Sequence, residues 1–96
     1  MSFLNDWARQ SFECAVRRGK TRPGISHKAM VKSIAAEFKE LVTASRKKSS
    51  EHVFGMTEET EELVDVMLCC MTELYNRGED VEAVLWAKLF YNKSRD

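Results

Sequence analysis

Apolar positions recur three and four residues apart in four stretches of the chain, and no stretch shows the sustained alternation or β-branched runs of a strand. The first stretch predicts a helix from Ser2 to about Arg18 on Phe3, Leu4, Trp7, Phe12, Ala15 and Val16, with Gly19 just past its end. Lys20 to Gly24 is a linker that holds the only proline. Ser26 is a good N-cap for a second helix running to about Ser45, whose stripe is Val31, Ile34, Ala35, Phe38, Leu41 and Val42. Lys47 to Gly55 reads as a polar loop. Thr57 followed by Glu58 and Glu59 suits the start of a third helix, which Gly78 ends, and Asp80 caps a fourth from Val81 to about Ser94. The expected fold is all-α: four antiparallel helices joined by short connections in a single domain over residues 1–96.

Composition sharpens this only at a few points. The chain is 44% hydrophobic and 31% charged, a globular profile that excludes collagen-like and low-complexity classes. No run of about 18 apolar residues occurs, and charges are scattered through Met1 to Lys20, so neither a membrane span nor a secretory signal is expected and the protein reads as cytoplasmic. Fifteen Lys and Arg balance fifteen Asp and Glu, which gives no reason to expect a nucleic-acid polymer or an anionic membrane as partner. The balance is uneven along the chain, however. Between Cys14 and Ser50 ten basic residues stand against Glu37 and Glu40, a net of +8, and between Glu51 and Glu82 ten acids stand against Arg77, a net of −9; the two blocks are expected to face each other. Cys14, Cys69 and Cys70 lack CxxC spacing and are expected to be reduced core thiols.

The candidate chemistry lies in the acids beside the stripes. At about 100° per residue, Glu37 and Glu40 fall together near Leu41 at the edge of the second helix's stripe. Glu62 and Asp65 repeat the arrangement beside Leu63, Val66, Met67, Cys70 and Leu74 on the third helix. If these helices are neighbours, four carboxylates converge, and their repulsion calls for a cation. Hard oxygen ligands without imidazole or thiolate suit Mg²⁺, with Mn²⁺ as substitute. Neither His27 nor His52 follows a glutamate by three residues, as a di-iron bundle would require, and both read as surface residues. On the fourth helix Lys88, Asn92 and Arg95 continue the direction of Val81, Val84 and Leu85, so two cations are expected to point inward and to need an anionic partner. Acids for Mg²⁺ combined with such cations suit a polyphosphate and hydrolysis of a phosphoanhydride. No P-loop, GxSxG or HExxH is present to supply another chemistry.

Glu37-x-x-Glu40, then Glu62-x-x-Asp65 within Glu61-Glu62-Leu63-Val64-Asp65-Val66-Met67, then Lys88-x-x-x-Asn92-x-x-Arg95, resembles the MazG-like all-α nucleoside triphosphate pyrophosphohydrolases over roughly Ile34 to Arg95. That superfamily includes all-α dUTPases, dCTP pyrophosphatases and phosphoribosyl-ATP pyrophosphohydrolases. The resemblance implies a four-helix bundle completed by oligomerisation, as a homodimer or a tetramer. It implies Mg²⁺ held by Glu37, Glu40, Glu62 and Asp65 as the catalytic carboxylates, phosphate contacts from Lys88, Asn92 and Arg95, and the reaction (d)NTP + H₂O to (d)NMP + PPi, in the service of nucleotide-pool cleaning. Many relatives carry Glu-Glu-x-x-Glu in the first motif, and here Ala36 takes the place of the leading glutamate. The wide apolar arc of the third helix, with Val64, Leu68, Cys69 and Met71 beside its main stripe, independently points to a homo-oligomer. For the nucleobase, Trp7 and Phe54 are the stacking candidates ahead of Phe12 and Trp86. Two other readings compete: a helical interaction module whose acids and bases form ion pairs, and a non-catalytic nucleotide-binding sensor.

Overall fold

The computed structural model of the chain describes residues 2–95 and contains four helices, α1 (Phe3–Arg17), α2 (His27–Thr43), α3 (Glu58–Asn76) and α4 (Val81–Ser94). No strand forms among the described residues; an isolated bridge pairs Ser49 with Thr57. None of these helices is long and apolar enough to cross a membrane.

Local chemistry explains the limits. Each helix starts where a side chain accepts a hydrogen bond from an otherwise orphaned N–H: Ser2 from Asn5, Ser26 from Ala29, Thr57 from Thr60 and Asp80 from Ala83, at 3.1 to 3.2 Å. α1 and α3 end in the same way. At α3 the Gly78 N–H donates to Tyr75 and the Glu79 N–H to Leu74, which requires the positive φ of 79° that glycine adopts without strain. Gly19, with Lys20, closes α1 by the same pair of bonds.

The chain separates into two units. The first draws on the chain up to Gly24 and from Met71 onward. Its core is small: Ala8, Met71 and Val81 are buried, with Leu4, Leu74 and Tyr75 packed against them and the Phe12 and Tyr75 rings 5.3 Å apart. Polar side chains tie the elements where apolar contact is thin. Asn5 of α1 reaches the start of α4, accepting from the Val81 N–H at 2.7 Å while its amide donates to Asp80 at 2.9 Å. The hydroxyl of Ser2 donates to Glu82, and those of Ser11 and Thr72 pair at 2.8 Å. At the end of α3 the Asn76 amide donates to the Arg22 carbonyl and to the buried Glu73 carboxylate, and its carbonyl accepts from the Gly24 N–H, which pins the linker after α1.

The second unit, Ile25–Cys70, is α2, the loop 44–57 and most of α3. Here the apolar stripes are not where the spacing centres them. Phe38 and Val42 of α2 are 56% and 68% exposed, and Ala29, Met30, Ser33, Ile34, Glu37 and Leu41 are the part-covered residues. On α3, Leu63, Met67 and Cys70 are exposed while Glu62, Asp65, Val66 and Cys69 are part-covered. Both helices carry apolar residues over an arc wider than one neighbour covers, and the edge bearing the acids is the one sheltered. α4 differs from expectation for a related reason: only its first turn, at Val81, Glu82 and Val84, is covered, so Lys88, Asn92 and Arg95 are exposed rather than inward. Cys14 and Cys70 are likewise exposed, not core thiols, although all three cysteines are free as expected.

Because Asn5 satisfies the first N–H of α4 through a contact 76 residues away in sequence, Asn5→Ala should lower stability by about 1–2 kcal/mol. A urea titration at fixed protein concentration reads this as a lower midpoint with unchanged slope, and an unshifted midpoint would show that water replaces the amide without cost.

Candidate metal centre

The second unit assembles its carboxylates from two helices. Glu37 and Glu40 stand one turn apart on α2, and Glu62 and Asp65 one turn apart on α3, so each pair lies on one side of its helix. One carboxylate oxygen from each of Glu37, Glu40 and Glu62 lies within 4.8 Å of the other two. Glu61, Glu62 and Asp65 form a second such group, so Glu62 is common to both. The structure thus groups three of the four predicted acids, and Glu62 links them to a second group that holds the fourth, Asp65, and adds Glu61.

Glu62 is the strained member. Its Oε2 is buried with no hydrogen-bond partner. Burial pushes its pKa above the ordinary carboxylate range, and the charges of Asp65 and Glu40, a hydrogen bond with Glu40 and the charge of Glu61 push it further the same way. Glu61 moves in the opposite direction, because the Ser50 hydroxyl donates to its Oε1 and His52 Nδ1 lies 3.0 Å from its Oε2. An orphaned buried oxygen among several carboxylates is an acceptor set that a hard divalent cation would satisfy.

The loop that supplies Ser50 and His52 is a tied hairpin rather than an open coil. Ser45 Oγ accepts from the Lys47 and Lys48 N–H groups, the Ser45 N–H donates to Glu58, and the Ser50 N–H donates to the Met56 carbonyl at 2.9 Å. Arg46 meets Glu59 at 3.7 Å and Lys48 meets Glu58 at 3.5 Å, which is where the basic and acidic blocks touch; as exposed pairs they contribute about 0–1 kcal/mol each. At the tip, Phe54 is fully exposed.

The remaining predicted residues stand in the first unit. Trp7 lies on α1 with its ring half exposed. Lys88, Asn92 and Arg95 lie at the end of α4, where the Lys88 ammonium is 4.7 Å and the Arg95 guanidinium 5.2 Å from the centre of the Tyr91 ring. Glu61, Ser50, His52 and Tyr91 are absent from the sequence reading of the site. Tyr91 could have been found by helical spacing, three residues after Lys88 and four before Arg95; Glu61 could not, because its place in the cluster depends on the return of the loop.

Comparison with protein-family models, curated proteins and solved structures finds no match for the chain.

A carboxyl group whose folded pKa is raised contributes stability below its unfolded value, and that contribution is lost as pH rises through the folded value. In EDTA the chain should accordingly lose the Glu62 contribution from the ordinary glutamate range near pH 4.5 upward, and Glu62→Gln should melt higher than the parent at pH 7 and gain little at pH 4. Equal melting temperatures at pH 7 would show that the cluster carries no charge repulsion.

Proposed function

We propose that the chain is a Mg²⁺-dependent nucleoside triphosphate pyrophosphohydrolase of the MazG-like type, converting a (d)NTP and water to the (d)NMP and pyrophosphate. The observation that carries this reading is the meeting of Glu37 and Glu40 with Glu62 within 4.8 Å, with Asp65 beside Glu62 and an orphaned buried oxygen at the point the two groups share. When bound, a divalent cation in such a set neutralises phosphate oxygens and lowers the pKa of water. The chain's own residues do the rest. Glu40, the exposed member, orients the attacking water and accepts its proton as the water oxygen bonds to the α-phosphorus and pyrophosphate leaves. In this reading Lys88, Asn92 and Arg95 bind the phosphates of the substrate, as the family resemblance implies. Phe54, fully exposed at the hairpin tip, and Trp7 offer rings to the base. A nucleotide substrate and a role in clearing unwanted nucleotides fit a cytoplasmic enzyme.

The exposed apolar sides of α2 and α3 support the second part of the proposal, a homodimer or tetramer. Phe38, Val42, Leu63 and Met67 are each about half exposed or more, and each stands to gain up to about 1.5–3 kcal/mol on full burial. A second copy of the chain is the cover we propose.

A panel of ribo- and deoxynucleoside triphosphates with Mg²⁺ tests the reaction by chromatography of the products. Monophosphate and pyrophosphate should form from one or a few substrates and vanish with EDTA, and Glu62→Gln or Asp65→Asn should reduce turnover by roughly 100-fold or more with helical circular dichroism intact. Diphosphate and phosphate as products, or turnover that survives either substitution, would overturn the assignment. Light scattering at micromolar concentration should give a dimer or larger species, and a monomer would remove the oligomer from the proposal.

A further inference from the structure

The end of α4 holds an arrangement that neither the carboxylate centre nor the apolar faces explain. Lys88, Tyr91 and Arg95 occupy successive turns on one side of the helix, and both cations approach the same ring, at 4.7 and 5.2 Å from its centre. Both distances lie inside the range over which an aromatic ring attracts a cation. Arg95 reaches back to the ring because the helix stops just before it: the Ser94 hydroxyl donates to the Tyr91 carbonyl at 2.7 Å, and Arg95 is the C-cap, with extended backbone at φ −89° and ψ 149°. Without the ring, two long side chains seven residues apart would sample many rotamers and repel each other. With it, each cation lies against the Tyr91 ring, whose π-electrons attract both and offset that repulsion. A pair of cations ordered in this way suits an anion that spans several oxygens and carries more than one charge, whereas a single surface lysine or arginine would favour none in particular. The helix dipole is negative at this end, so an anion here depends on the side chains alone.

We propose that Tyr91 is a positioning residue for polyphosphate: its ring gathers Lys88 and Arg95 into one clamp, and it acts through them rather than on the reacting atoms. This rests on the phosphate-contact role proposed above for Lys88 and Arg95. The clamp is specific for the polyphosphate part of a ligand and indifferent to the base.

The full-length protein, wild type and Tyr91 variants, is titrated calorimetrically with inorganic tripolyphosphate, and KM and kcat are measured in parallel with the best nucleotide of the panel. Tyr91→Leu should weaken tripolyphosphate binding and raise KM by roughly tenfold while kcat changes little, and Tyr91→Phe should restore both, since it keeps the ring. Tyr91→Gln repeats the test with a polar side chain should leucine disturb folding or assembly. In a Lys88→Ala, Arg95→Ala background the Tyr91→Leu effect should vanish, which a merely structural role would not produce. Wild-type affinity in Tyr91→Leu, an equal loss in Tyr91→Phe, or no tripolyphosphate binding by the wild type each overturns the clamp. Absence of nucleotide turnover in a protein that still shows the Tyr91-dependent binding overturns the hydrolase reading and leaves the clamp standing.

Discussion

Mutual repulsion among carboxylates is the constraint on which the Ile25–Cys70 unit turns. Two like charges about 4 Å apart repel by about 4 kcal/mol at an effective dielectric constant of 20, and here Glu62 meets such neighbours on two sides. Burial, and after it the charges of Asp65 and Glu40, push the Glu62 carboxyl above the ordinary carboxylate range. Sheltering the acids has a structural consequence as well. α2 and α3 cover Glu37, Glu62 and Asp65 together with Ile34, Leu41 and Val66 and leave Phe38, Val42, Leu63 and Met67 in water, so acids take part of the cover that apolar residues would otherwise have. The grouped carboxylates and the exposed apolar sides are therefore two results of one choice of helix face.

The unit formed by the two ends of the chain solves a different problem. Its apolar core is small, and amide side chains at Asn5 and Asn76 make connections that hydrophobic contact does not. Each satisfies backbone groups that helix ends or turns would leave orphaned, so a few polar residues serve at once as caps and as links between distant segments.

Much of this was legible in the sequence, because the relevant physics is local. Ser26, Thr57, Asp80 and the glycines at 19 and 78 mark helix limits through bonds made within four or five residues, and each limit lies within two residues of its expected place. The pairing of Glu37 with Glu40 and of Glu62 with Asp65 follows from helical spacing alone. What the spacing did not settle was which side of a broadly apolar helix is covered: the stripe centred on Phe38 and the sheltered edge at Glu37 are adjacent, and only the neighbouring helix distinguishes them. Glu61 and Asn5 escaped notice for a stronger reason. Their roles depend on partners brought back by the loop at Ser50 or by the far end of the chain at Val81, which no local pattern encodes.

The tied hairpin between α2 and α3 separates two tasks that a short loop would merge. Its base is fastened at Ser45, at the Ser49–Thr57 bridge, at Ser50 and at His52, beside the acids, whereas Phe54 and Gly55 lie beyond these ties. Lengthening such a tip costs little closure entropy, since the cost grows only with the logarithm of loop length. Insertions and aromatic exchanges at Phe54 are therefore open to evolutionary drift without moving a carboxylate.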